Sequence, residues 1–134
     1  SAKLLKPLCE RLRVPVDCRD LALLVAIFHG DIHRAELLRP ATMVKVIERC
    51  DVLRRPERFE ELLGACEADY RGRSGFAEKA YPQADMWRSA IAATHTVDAG
   101  VIAKSCENPQ HIAERIHAAR VSAVAALGLQ KTQD

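Results

Sequence analysis

Asp20 to His33 reads DLALLVAIFHGDIH, and these residues decide the fold. Leu21, Leu24, Val25 and Phe28 recur at helical spacing, and Leu23, Ala26 and Ile27 widen the apolar face until it is nearly continuous. The pattern predicts a helix in the middle of a helical domain. That helix runs directly into His29, Gly30, Asp31 and His33, the densest cluster of reactive side chains in the sequence.

Upstream, Leu4 to Leu12 predicts a short helix with Leu4, Leu5, Leu8 and Leu12 on one face, and Pro7 is tolerable only in its first turn. Pro15 suits the first position of the central helix. Downstream, Pro40 opens a helix whose apolar side is Met43, Val44, Val46, Ile47 and Cys50 and which Arg54 and Arg55 finish. Pro56 opens the next, with Phe59, Leu62, Leu63 and Cys66 as its buried stripe. The glycines, Ser and Pro of YRGRSGFAEKAYP, Tyr70 to Pro82, break the periodicity and mark a loop that Tyr70, Phe76 and Tyr81 pin to the body. A helix over Ala84 to His95 follows, whose weak apolar face uses Trp87, Ile91 and Thr94, then a shorter one capped by Asp98. Asn108-Pro109 starts a last helix along Ile112, Ile116, Ala119, Ala123 and Ala126, which Gly128 stops. No strand-like alternation, internal repeat or heptad run is present. The expected fold is all-α, a packed helical array divided into residues 1–69, a linker loop at 70–83, a helical tail at 84–129 and a frayed terminus at 130–134.

Composition supports this reading. Of 134 residues, 49% are hydrophobic and only 4% aromatic, a balance that favours helix over sheet. The five cysteines are irregularly spaced and form no CxxC pair, so neither a zinc knuckle nor a thioredoxin-like site is indicated, and reduced thiols, mostly in helices, are expected. Without a signal segment or a long apolar run, a soluble cytoplasmic protein with no membrane partner is expected. The missing initiator Met and the abrupt start within an amphipathic pattern predict a piece of a larger protein.

The net charge of +2 hides an asymmetry: residues 1–55 hold eleven Lys or Arg against seven Asp or Glu, and residues 56–134 hold nine against eleven. A mild basic excess permits contact with a polyanion without demanding it. Arg54, Arg55, Arg58, Arg71 and Arg73 are the basic candidates for gripping phosphate, with Tyr70 placed to stack on a base. Interleaved Glu57, Glu67 and Asp69 offer the alternative of an internal ion-pair network. His29 and His33 share one side of a continuous helix and could share a divalent ion, whereas Asp31 points away unless the helix ends near Gly30. The alternative is histidines that cap a helix end or bond to the next loop. Gly72-Arg73-Ser74-Gly75 lacks the Lys and the preceding strand of a phosphate-cradling loop, and no spacing argues for a nucleophile.

The stretch from Leu24 to Phe76 resembles the downstream half of bacterial multifunctional CCA proteins, the tRNA nucleotidyltransferases that carry an HD-type phosphohydrolase domain. FHGDIHRA with LRPAT at 28–42, and EADYRGRSGF at 67–76, carry the likeness, which extends over residues 3 to about 104. The resemblance implies the later part of the HD-type domain followed by a helical tail. In such a parent, a head domain uses ATP, CTP and magnesium to add C, C and A to tRNA 3′ ends. The phosphohydrolase domain has 2′,3′-cyclic phosphodiesterase, 2′-nucleotidase and phosphatase activity, with a transition metal such as nickel possible there.

The family's His-Gly-Asp segment falls on His29, Gly30 and Asp31, so the resemblance makes His29 or Asp31 a metal-side residue and His33 their support. It places the dyad that names the domain upstream of Ser1. The expected consequences are tRNA and the rest of the parent chain as partners, no cofactor held here and no catalysis by this chain alone. Self-association through exposed leucines such as Leu5 and Leu8, as a structural module, is the alternative. After Cys106 the likeness thins, because only Arg115 and Arg120 stand where the family carries paired arginines.

Overall fold

The computed structural model describes residues 1–131, and among them the chain forms seven α-helices and no strand. The helices are α1 (Ala2–Arg11), α2 (Val16–His33), α3 (Pro40–Arg49), α4 (Pro56–Arg71), α5 (Pro82–His95), α6 (Ala99–Ser105) and α7 (Ile112–Ala125). Short 3-10 turns at Ala35–Leu37 and Pro109–His111 lead into α3 and α7. The all-α expectation holds. None of the described helices is long and apolar enough to cross a membrane.

Prolines set three of the starts. Pro40, Pro56 and Pro82 each occupy the first turn, where the missing N–H would have had no helical partner. Pro15 instead caps α2 from outside, with Val16 as the first helical residue. Pro7 departs from expectation: it lies in the second turn of α1, where it removes a backbone donor, and α1 buries only Cys9. Side-chain caps open the later segments, Asp98 accepting from the Val101 N–H at 3.0 Å and Asn108 from that of Gln110 at 3.0 Å.

The α3 and α4 stripes are buried as their spacing predicts, Met43, Val44, Val46, Ile47 and Cys50 against Phe59, Leu62, Leu63 and Cys66. The α3 helix, however, ends at Arg49 rather than Arg55. Asp51 turns left-handed at φ 54°, its N–H bonds the Glu48 carbonyl at 3.1 Å, and the Val52 N–H bonds Ile47 at 3.2 Å. Those two bonds close a Schellman motif, and Val52 is buried beneath it. Leu12, Arg13 and Val14 end α1 in the same way, with Arg13 at φ 51°.

The α2 helix packs against α1, α4 and α5, but its apolar face is only partly covered. Only Phe28 and Ile32 of this helix are buried, and Ile27 is 49% exposed. The middle belongs to α3, α4 and α5, with Trp87 fully enclosed and its ring edge-on to Phe59 at 5.8 Å. Each such side chain contributes about 1.5–3 kcal/mol by leaving water. The last helix keeps Ile112, Ile116, Ala119 and Ala123 of the expected stripe half-buried, but its one fully buried residue is Val124, outside that stripe, and Ala126 is exposed.

One continuous core runs from Phe28 to Val124, so residues on both sides of the expected linker share it. The expected loop narrows as well, because Tyr70 and Arg71 finish α4 while Pro82 and Gln83 begin α5. Of the expected frayed terminus, Lys131 is tied to Glu36 by its backbone at 3.1 Å and its ammonium at 3.0 Å, and residues 132–134 lie outside the described residues.

Candidate functional site

The α2 helix continues through Gly30 and ends at His33, so its last turn obeys helical geometry. His29 and His33 therefore share a side, with ring centroids 6.2 Å apart. The carboxylate of Asp31 instead accepts from Arg34 at 3.0 Å. The structure thus brings two of the three metal candidates together and leaves the third elsewhere.

The two imidazoles are differently committed. His29 meets the Val25 carbonyl through Nδ1 at 2.8 Å and keeps Nε2 out of that bond. His33 uses both nitrogens: Nδ1 takes the Tyr81 hydroxyl at 2.8 Å and Nε2 meets Asp69 at 3.0 Å. Burial, aided by nearby Cys66, Glu67 and Asp69, pushes the Tyr81 phenol above its usual range, so it stays protonated. Both His33 nitrogens are thus engaged by protein groups, which leaves neither turned to a metal. Among the described residues no group of three His, Cys, Asp or Glu could hold an ion, so this donor set does not fit a complete divalent site.

The start of α5 completes the end of α2. Trp87 donates through Nε1 to the Ile32 carbonyl at 3.1 Å, and Gln83 through Nε2 to that of His33 at 3.2 Å. These are carbonyls that a helix terminus leaves without partners. Gln83, Trp87, Asp69 and the polar role of Tyr81 were missed by sequence reasoning. They lie 36 to 55 residues from their partners, and no local spacing announces such a contact.

The basic candidates divide into two groups. Arg54, Arg55 and Arg58 stand near the N-terminus of α4, and Arg71 and Arg73 at its other end, about 24 Å away at 1.5 Å per residue. Arg58 faces Asp20 at 3.8 Å, Arg54 faces Asp51 at 3.7 Å and Arg71 faces Glu67 at 3.2 Å. Arg55 and Arg73 are exposed.

Tyr70 already has two aromatic neighbours. Its ring stands edge-on to Phe76 at 5.2 Å and tilted against Tyr81 at 5.2 Å. Arg73 also lines an open, mostly apolar groove of about 740 Å³ with Leu5, Leu21, Val25, His29 and Asp69.

The chain is 59% identical over 93% of its length to the multifunctional CCA protein of Paraburkholderia phymatum, and 57% over 93% to that of Cupriavidus metallidurans. It is 52% identical over 94% of its length to that of Aromatoleum aromaticum. The chain spans 30–31% of the length of these relatives. No protein-family model matches it, and no solved structure is significantly similar. Along nearly all of its own length, this chain is similar to one segment of the bacterial multifunctional CCA proteins.

Proposed function

We propose that this chain is the tRNA-contacting, non-catalytic segment of an enzyme that adds C, C and A to tRNA 3′ ends. The observation that carries the reading is 52–59% identity to proteins named for CCA, kept across 93–94% of the chain. In this reading ATP, CTP and magnesium act in a part of the protein outside these residues. Any phosphohydrolase activity, with its transition metal, requires ligands that the described residues do not supply. Phosphoryl transfer without a covalent intermediate depends on positioned charge, so an incomplete ligand set leaves little rate. Neither CCA addition nor phosphatase activity is expected of the chain alone. Either activity, if abolished by His29→Ala or Asp31→Ala in a pure sample, refutes this.

RNA contact falls to the loop after α4. Arg73 is exposed there, and Arg71 shares its charge with Glu67. Such cations hold phosphates and read shape rather than sequence. The test is fluorescence anisotropy with labelled tRNA at about 50 and 200 mM salt, where binding through several phosphates weakens steeply. Arg73→Ala should reduce affinity equally for all tRNAs and flatten the salt slope by about 0.9, one phosphate's worth. An unchanged slope removes Arg73 from the interface. Arg71→Ala should act in the same direction but less, because Glu67 already competes for that guanidinium.

A second reading rests on the exposed apolar residues. Leu4 is 79%, Leu12 62% and Val16 57% accessible, all around α1 and the start of α2. A self-associating structural module would use that face. Sedimentation at micromolar concentration separates the two: a dimer without affinity for tRNA favours the module.

A further inference from the structure

His33 is the meeting point of three helices. Tyr81 and Asp69 hold its ring at 2.8 and 3.0 Å, and Gln83 holds its carbonyl at 3.2 Å. Asp69 belongs to the last turn of α4 and Tyr81 immediately precedes α5. The basic loop runs between these anchors, with Gly72 following α4 and Tyr81 preceding α5.

The loop is wound rather than extended. The Phe76 N–H bonds the Arg73 carbonyl at 3.0 Å, and the Lys79 N–H bonds that of Phe76 at 3.0 Å, two successive turns. Phe76 stands edge-on to Tyr70, and the Lys79 ammonium lies 4.1 Å over the Phe76 ring. Tyr70 in turn packs on Tyr81. Rings thus link the middle of the loop to its C-terminal anchor, and one hydroxyl fixes that anchor to α2.

We propose that Tyr81 is a positioning residue for RNA binding, its hydroxyl on His33 holding the loop that carries Arg73 and Lys79 in the shape that receives a phosphate backbone. The proposal rests on the tRNA reading above. Tyr81 is itself buried and touches no ligand; it acts by removing conformations that binding would otherwise have to freeze out. His33 serves as the fixed point rather than as a metal ligand.

The test uses Tyr81→Phe, which keeps the ring and deletes the hydroxyl. Affinity for labelled tRNA should fall roughly 3- to 10-fold at low salt, the worth of one hydrogen bond. The salt slope should stay at the wild-type value because every cation remains. Trypsin should also cut faster after Arg73 while the far-ultraviolet circular dichroism is unchanged. His33→Ala, which also releases Asp69, should weaken binding at least as much, and the double variant no more than His33→Ala alone, as expected if the Tyr81 hydroxyl acts through His33.

A lower melting temperature with wild-type affinity would make Tyr81 merely structural and overturn the inference alone. Absence of wild-type binding overturns the tRNA reading and the inference together. Should Tyr81→Phe fail to fold, Phe76→Leu loosens the same stack from the loop side and must show the same weakened affinity with an unchanged slope; wild-type affinity there overturns the proposal equally.

Discussion

The thiols of Cys18 and Cys66 belong to one chain but to different chemistry. Cys18 is exposed, whereas burial lifts Cys66 to about 11 and Cys50 to about 12 from the usual 9.0. A thiol reagent at pH 8 should therefore label Cys18 readily and leave Cys50 and Cys66 until the protein is unfolded; early labelling of Cys66 would contradict its burial. The same shifts act on stability. Both groups hold their proton more tightly folded than unfolded, so their contribution is complete below about pH 9 and is lost as pH rises toward 11 and 12. Denaturation midpoints should fall across that window, and replacing both cysteines by Ala should flatten the fall. Tyr81, raised by its burial, adds to the slope from its own usual value upward. His33 shows what a residue in isolation conceals. The four-residue spacing correctly put it beside His29, but the occupants of its nitrogens, Asp69 and Tyr81, come from parts of the chain that no periodicity connects.

At the scale of the element, the stripes of α3 and α4 were legible because each repeats an apolar residue every three or four positions and is buried on that side alone. The end of α3 was not. Helices that close left-handed usually do so on glycine, and here the position is Asp51 at φ 54°. An Asp there pays a conformational cost that glycine avoids. Asp51→Gly should consequently raise stability by about 0.5–1 kcal/mol in urea titrations, less whatever its Arg54 contact contributes. A loss of stability would mean that the carboxylate matters more than the backbone. The start of α5 was legible only in part. Pro82 counted toward the loop and the helix was expected from Ala84; the Trp87 ring was expected on a weak apolar face, and its N–H on Ile32 was not expected at all. Trp87→Phe keeps an aromatic side chain but removes that donor and some volume. It should cost about 2 kcal/mol by chemical denaturation, and a cost below about 0.5 kcal/mol would place the N–H bond among the dispensable ones.

Across the whole molecule, composition and spacing pointed to the helical class and sequence likeness to the CCA proteins, and Phe28, Trp87 and Val124, from both sides of the expected linker loop, lie in one core. The glycines of 72–75 interrupt the helical pattern without interrupting the packing behind it. Unfolding should accordingly be a single cooperative transition, with Trp87 fluorescence and far-ultraviolet circular dichroism tracing the same curve; two separated transitions would support a division at the loop. Of the exposed large apolar residues, Leu4, Leu8, Leu12, Val16 and Ile27 belong to α1, α2 or the turn between them, and Leu37, Val101 and Leu127 lie elsewhere. The grip of α5 on the last turn of α2 has a consequence in time. The Ile32 and His33 carbonyls wait for donors 50 to 55 residues later in the chain, so that turn cannot be finished by local contacts. A peptide of residues 16–33 should fray at His33, and Gln83→Ala should speed unfolding of the full chain while scarcely slowing folding, the kinetic mark of a contact made after the barrier is crossed.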